Sequence, residues 1–246
     1  MWHNHDIELT YKINIDSIDV VNLESKLRNH DWTKRHLHRQ GPLTGSYVIY
    51  YHHFDDGSYK EILAKTNPMP YDKDDIDLRE LTMPILAQVQ SFYSDYRFIK
   101  GEISVCPGEE KQRIHRDPRV FHRFSHRMHI PVITNPGAKL QVENNSQHLE
   151  KYGVYLFNNL KLHRSFNDGN NLRVHVIVDM MPTKWWDILT NLYPESELYN
   201  WCRAVTKNPV ERMSQIQQRK PAASLAQLLL ELGDDFALND PEYKNI

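Results

Sequence analysis

Leu172-Arg173-Val174-His175-Val176-Ile177-Val178-Asp179 is the stretch that decides the fold. In an extended chain side chains alternate between faces, so Leu172, Val174, Val176 and Val178 share one face and Arg173, His175 and Ile177 the other. The first face is continuous apolar packing. The second carries a guanidinium and an imidazole inward, which costs free energy unless they find partners. A guanidinium in such a place calls for a carboxylate, which its planar fork holds with two hydrogen bonds. Working outward, β-type runs recur at residues 97–106, 127–134, 140–143, 154–157 and 163–166. Pro107-Gly108, Asn135-Pro136-Gly137, Asn144-Asn145, Asn158-Asn159 and Asn167-Asp168-Gly169-Asn170 separate them. Short strands at this spacing predict a β-sandwich or barrel, the double-sheet jelly roll included.

Upstream, residues 7–15 alternate as an edge strand. Ser17 is placed to cap a helix running to about residue 30, with Ile18, Val21, Leu23 and Leu27 toward the core. Residues 45–51 read as a strand and 65–77 as a loop. Residues 78–94 read as a helix with Pro84 in its first turns or kinking it. Residues 183–246 read as a helical C-terminal extension. In it Leu225, Leu228, Leu229, Leu230 and Leu232 form a stripe for packing or a homodimer contact, and Gly233 stands where a C-cap would.

At 246 residues, 40% hydrophobic and 25% charged, the chain has the composition of a soluble globular protein with one main domain. No apolar run approaches the roughly 20 residues needed to cross a bilayer, so no membrane association is expected. The N-terminal residues do not read as a secretory signal, and two cysteines do not make a disulfide framework; a cytoplasmic location is expected. Net charge is only −2, which disfavours a general nucleic-acid binder. Lys111, Arg113, Arg116, Arg119, Arg123 and Arg127 nevertheless cluster, either as a solvated loop or as a positive mouth for an anionic substrate or cosubstrate.

Within that cluster lies His115-Arg116-Asp117, and His163 follows downstream. Two imidazoles and one carboxylate with open positions left over form the facial triad of non-haem Fe(II) oxygenases. In the strand 127–134, Arg127 and His129 share one face and Met128 and Ile130 the other. A symmetric hairpin about Asp168 sets His163 directly across from Arg173. Metal ligands, inward arginines and a closed β-cavity together describe a pocket for a small dicarboxylate beside a metal.

Residues 97–181 resemble the aspartyl/asparaginyl β-hydroxylase family of Fe(II)/2-oxoglutarate dioxygenases. The matching pieces are Ser104-Val105-Cys106-Pro107-Gly108, His115-Arg116-Asp117-Pro118 and Arg127-Met128-His129-Ile130-Pro131, then Gly153-Val154-Tyr155-Leu156-Phe157-Asn158, His163 and Arg173 to Asp179. The resemblance implies a mainly β fold with flanking helices: a cupin-like double-stranded β-helix, or jelly roll, filling residues 1–182 together with the N-terminal strand and helix. It implies Fe(II) as cofactor and 2-oxoglutarate and O2 as cosubstrates. It implies iron on His115 and His163, the distal carboxylate of 2-oxoglutarate on Arg173 helped by Ser104, and Arg127 and His129 near the metal-proximal end. Membrane-bound animal members carry glycine at the position of Asp117. Here the carboxylate is present, so a complete triad of His115, Asp117 and His163 is expected.

The reaction implied is hydroxylation of an unactivated C–H bond in an amino acid or a peptidyl Asp/Asn-type residue. Substrate contacts are expected from residues 119–125, 47–51 and 65–71, with Arg119, His122 and Arg123 suited to an anionic small molecule or peptide. Two alternatives stand beside this reading. One is a nucleic-acid-modifying dioxygenase, and the other is a non-enzymatic cupin-like binding protein, which would have no use for Arg173 beside a metal histidine.

Overall fold

The computed structural model describes residues 6–32, 47–51, 73–112, 114–115, 117, 125–183 and 186–187. The expected loop 65–72, the basic loop 118–124 with Arg119, His122 and Arg123, and the C-terminal stripe all lie outside the described residues.

Among the described residues ten strands form two sheets. In chain order they are β1 (Ile7–Lys12), β2 (Tyr47–Tyr51), β3 (Tyr96–Cys106), β4 (Glu110–Lys111), β5 (His126–Ile133), β6 (Ala138–Val142), β7 (Asn145–His148), β8 (Gly153–Phe157), β9 (His163–Asn167) and β10 (Arg173–Pro182). The larger sheet runs β1-β8-β5-β10-β3-β2 and the smaller β4-β9-β6-β7. All pairings are antiparallel. From β3 to β10 the chain passes repeatedly between the two sheets, which is the double-stranded β-helix; β1 and β2 extend the edges of the larger one.

The outer face of the larger sheet carries the core. Val174, Val176 and Val178 of β10, Met128 and Ile130 of β5, and Ile103 and Val105 of β3 pack in one cluster with two helices. These are α1 (Val20–Asn29), through Leu23 and Leu27, and α2 (Lys73–Phe92), through Leu78, Ile85, Leu86 and Val89. The alternation read along β10 and β5 is therefore realised, and the opposite face holds the polar set.

Several boundaries differ from the sequence reading. Asp19, not Ser17, caps α1: its side chain accepts from the Asn22 N–H, and Ser17 ends a separate 3-10 turn, Ile15–Ser17. Val21 is 81% exposed, because it lies across the helix from Leu23 and Leu27. α2 starts five residues earlier than expected, so Pro84 falls inside the helix and not in its first turns. β7 is an edge strand of polar residues with no apolar alternation to announce it.

The largest correction concerns Asp168. β9 and β10 do not form a hairpin: β9 pairs with β4 and β6, and β10 with β3 and β5. The turn carries the chain from one sheet to the other. Asparagine side chains stitch the crossing in place of ladder bonds. Asn135 Nδ2 donates to Asn167 Oδ1 at 3.1 Å and to the Asn171 carbonyl at 3.1 Å, and Asn167 Nδ2 donates to the same carbonyl at 2.7 Å. Gly108 lies so close to this turn that a Cβ there would sit 2.6 Å from Asn170 C, a contact only glycine avoids.

Candidate active site

The crossing sets the polar face of β10 against the smaller sheet. His163 opens β9, and residue 115 joins it through an isolated antiparallel bridge. The His115 N–H donates to the His163 carbonyl at 2.9 Å, and the His163 N–H donates back at 2.8 Å. Both rings then lie on one side of the sheet, with centroids 4.4 Å apart. Asp117 is anchored two residues on, where its N–H donates to the Asn159 carbonyl at 3.0 Å.

One donor atom from each of His115, Asp117 and His163 lies within 4.8 Å of the others. Asp117 Oδ1 is 3.9 Å from His115 Nε2, and Asp117 Oδ2 is 3.8 Å from His163 Nε2. The His163 Nδ1 is 2.9 Å from the Lys161 carbonyl. A carbonyl only accepts, so the proton sits on Nδ1 and Nε2 presents its lone pair to the cluster. Burial pushes the His163 imidazole down to about 4, against the pull of Asp117 and with help from His115, so no proton competes for that lone pair at neutral pH. Two imidazole nitrogens and a carboxylate oxygen suit a divalent transition ion, so these residues fit the metal their spacing announced.

Asp117 is itself held. Arg127 Nη1 donates to its Oδ2 at 2.9 Å, and Asn159 Nδ2 donates to the same oxygen at 3.1 Å. The remaining fork of Arg127 goes to Asp179, Nε to Oδ1 and Nη2 to Oδ2, each at 2.8 Å. Burial disfavours the Arg127 charge, but Asp117 and Asp179 outweigh it and leave the group more basic than usual. Arg127 thus sits between the candidate ligand and a buried carboxylate.

Arg173 opens β10, is 1% exposed and centres a second polar group. Its Nη1 donates to Ser104 Oγ at 3.2 Å, and its Nη2 to Ser165 Oγ at 3.3 Å and His175 Nδ1 at 2.9 Å. No carboxylate forms an ion pair with it among the described residues. Burial lowers its pKa to about 10, against the pull of Cys106 and Glu102, and it remains charged at neutral pH. A buried guanidinium with only neutral hydrogen-bond acceptors has the chemistry to receive an anion. His129 lies between the two groups: its Nδ1 is 3.2 Å from His175 Nδ1, and its ring meets Phe157 edge-on at 4.9 Å.

The seven residues singled out from the sequence fall into two polar groups bridged by Phe157, which meets both His129 and His163. The triad is brought together, Ser104 touches Arg173, Arg127 touches Asp117, and His129 touches His175. Sequence reasoning missed Ser165, Asn159 and Asp179. A crossing between sheets in place of a hairpin would have put Ser165, two residues beyond His163, near Arg173. Asp179 had a signal in its place on the strand, because it shares the face of Arg173 and His175.

Two histidines and a carboxylate brought together on a double-stranded β-helix have the donor set of a non-haem iron oxygenase site. The family model for aspartyl/asparaginyl β-hydroxylase matches residues 22–182, and the chain belongs to that family. It is accordingly a 2-oxoglutarate-dependent non-haem iron oxygenase, with Fe(II) as cofactor and 2-oxoglutarate and O2 as cosubstrates. Similar solved structures include a viral collagen prolyl hydroxylase from Paramecium Bursaria Chlorella virus-1, at 10% identity over 72% of this chain and 96% of that one, TM-score 0.40. A prolyl-4-hydroxylase from Pseudomonas putida shares 14% over 72% and 93%, TM-score 0.44. An oxidoreductase of the 2OG-Fe(II) oxygenase family from Burkholderia pseudomallei shares 10% over 67% and 78%, TM-score 0.42. No curated protein matches the chain in sequence.

Proposed function

We propose that this protein hydroxylates an unactivated C–H bond of an amino acid or of a peptidyl Asp/Asn-type residue. In this reading His115, Asp117 and His163 hold the iron, and Arg173 with Ser104 holds the distal carboxylate of 2-oxoglutarate. The observation that carries it is the pairing of a three-donor cluster with a buried arginine that forms no ion pair with a carboxylate among the described residues. Iron, 2-oxoglutarate and O2 supply the oxidising power when bound, and the protein supplies orientation and exclusion of water.

Each part of that second task has a residue. The Lys161 carbonyl fixes the His163 tautomer, and Arg127 and Asn159 fix the Asp117 carboxylate. Phe157 stands edge-on to both His129 and His163, with centroids 4.9 and 5.1 Å away, and covers the inner wall with apolar surface. Arg173, with the Ser104 and Ser165 hydroxyls beside it, would hold one carboxylate of the cosubstrate. The basic residues Arg119, His122 and Arg123 are the proposed contacts for an anionic substrate.

The test is iron-dependent conversion of 2-oxoglutarate to succinate, stimulated by members of a panel of free amino acids and short peptides. His115→Ala and His163→Ala are expected to abolish it, and wild-type succinate output from either at matched iron loading would remove the ligand assignment. Equal stimulation by charge-neutral analogues would remove the anionic-substrate reading.

A further inference from the structure

β5 and β10 run antiparallel with Arg127 directly across from Asp179. Asp179 is 1% exposed and spends both oxygens on Arg127: Oδ1 accepts from Nε and Oδ2 from Nη2, each at 2.8 Å. Those two donors form one edge of a planar group, and a plane held at two points on one edge has a fixed direction. The opposite corner is Nη1. It donates to Asp117 Oδ2 at 2.9 Å, and Asp117 is one of the three donors of the candidate metal cluster. Arg127 is therefore a bridge with its edge fixed on β10 and a single nitrogen at the cluster.

Without Asp179, Asp117 is the carboxylate that Arg127 already touches. Two parallel ionic hydrogen bonds are stronger than one, so the vacated edge turns toward Asp117. Asp117 does not depend on that change for its own place, because Asn159 Nδ2 holds the same oxygen at 3.1 Å. The consequence falls on Arg127, whose direction is lost.

We propose that Asp179 is a positioning residue: by occupying the Nε–Nη2 edge of Arg127 it aims Nη1 at the metal-proximal carboxylate of the cosubstrate. The inference rests on the 2-oxoglutarate reading above, with Arg127 near the metal-proximal end, and adds the residue that sets its direction. Two other roles for Asp179 predict different outcomes. A carboxylate acting only through its charge repels anions, so its removal strengthens their binding. A carboxylate that only supports the fold weakens every ligand alike when it is lost. Aiming Arg127 affects only ligands with a carboxylate beside the keto group. Arg173, the proposed reader of the other carboxylate, is held by Ser104, Ser165 and His175 and not by Asp179.

The test titrates three ligands into full-length Mn(II)-loaded protein by calorimetry, the weakest by displacement of 2-oxoglutarate. They are 2-oxoglutarate itself, 2-oxopentanoate, which lacks the distal carboxylate, and 4-oxobutanoate, which lacks the one beside the carbonyl. Asp179→Asn is expected to weaken the first two about tenfold, the worth of one ionic hydrogen bond, and to leave 4-oxobutanoate within about twofold of wild type. Asp179→Glu, which keeps a carboxylate, is expected to bind the first two more tightly than Asp179→Asn does. Tighter or unchanged binding of 2-oxoglutarate in Asp179→Asn overturns the proposal, and so does an equal loss for all three ligands. A second measurement needs no variant. In ¹³C,¹⁵N-labelled wild type loaded with Zn(II), the side-chain nitrogens of Arg127, assigned from its own backbone, are followed as 2-oxoglutarate is added. Nη1 is expected to shift while Nε, held by Asp179, stays in place. An Nε shift as large as that of Nη1, or no shift in either, overturns the proposal. Failure of wild type to bind 2-oxoglutarate at all is a separate outcome, and counts against the oxygenase reading itself.

Discussion

Replacing Arg173 with methionine is expected to separate stability from cosubstrate binding. Arg173 is buried and surrounded by Ser104, Ser165 and His175, none of which is charged to oppose it. Its fall from the ordinary arginine value to about 10 corresponds to roughly 3 kcal/mol held against the charged form. Methionine removes that burden and fills much of the same space. Against this, three acceptors lose a donor at about 1 kcal/mol each, partly recovered as the two hydroxyls rotate. The balance leaves the ligand-free variant as stable as the wild type or more so by about 1–2 kcal/mol, in line with other buried charges replaced by apolar groups. Cosubstrate binding goes the other way. Removing a desolvated cation from a carboxylate costs about 3 kcal/mol, roughly a 150-fold rise in Kd. Thermal unfolding without ligand and calorimetric titration of 2-oxoglutarate into Mn(II)-loaded protein measure the two halves. A monocarboxylate of the same length, 2-oxopentanoate, is expected to bind wild type and Arg173→Met alike, since it lacks the group that Arg173 reads. A fall in Tm of more than about 6 °C, some 2 kcal/mol for a domain of this size, would refute the unpaired-cation argument. An undiminished preference of Arg173→Met for 2-oxoglutarate over 2-oxopentanoate would refute the receptor role.

Asp179→Asn takes the bidentate partner from Arg127 but leaves it Asp117, so a cost of about 3 kcal/mol is expected, at the low end for breaking a buried pair. Chemical denaturation checks this, and a loss below about 1 kcal/mol means that Asp117 alone satisfies Arg127. Asp117→Ala is expected to lower affinity for Mn(II) at least tenfold in a direct titration; unchanged affinity would make this a two-histidine site. Metal-free protein is expected to be acid-labile. His163, at about 4, and His129 and His175, lower than usual through burial, stay neutral in the folded state while the unfolded chain takes up protons below about pH 6.5. Their stabilising contribution is thus complete above pH 6.5 and is lost as pH falls, by about 1.4 kcal/mol per pH unit for each histidine. A Tm that stays flat between pH 7 and 5 would contradict it.

Much of this was legible in the sequence because the β-strand period is short and strict. The alternation over residues 172–179 sorted Val174, Val176 and Val178 from Arg173 and His175, and the packing obeys it. The cluster was legible because His115 and Asp117 lie two residues apart, and the bridge from His115 brings in His163. What escaped was whatever depends on where a turn leads. Asn167 to Asn170 has the composition of a hairpin turn, yet Asn135 and Gly108, distant in sequence, redirect it between sheets. That single redirection exchanges His163 for Ser165 as the neighbour of Arg173. Helix starts escaped for a local reason, since Ser17 and Asp19 are equally good caps and only packing of Leu23 and Leu27 chooses between them.

Charge along the cavity explains why these residues belong together. Asp117, Asp179 and Arg127 sum to one negative charge with the histidines neutral. A divalent cation on the triad turns that end to one positive charge. Arg173 holds one more at the far end, and a dicarboxylate of charge −2 spanning the two cancels both. Any two of the three components leave a net charge buried in a low-dielectric cavity, which costs several kcal/mol. The metal and the dicarboxylate should therefore bind with positive coupling, part of which lies in the field of the cavity and part in direct coordination. Arg173→Met removes the far charge but not the coordination, so the coupling that survives in that variant isolates the part made at the metal.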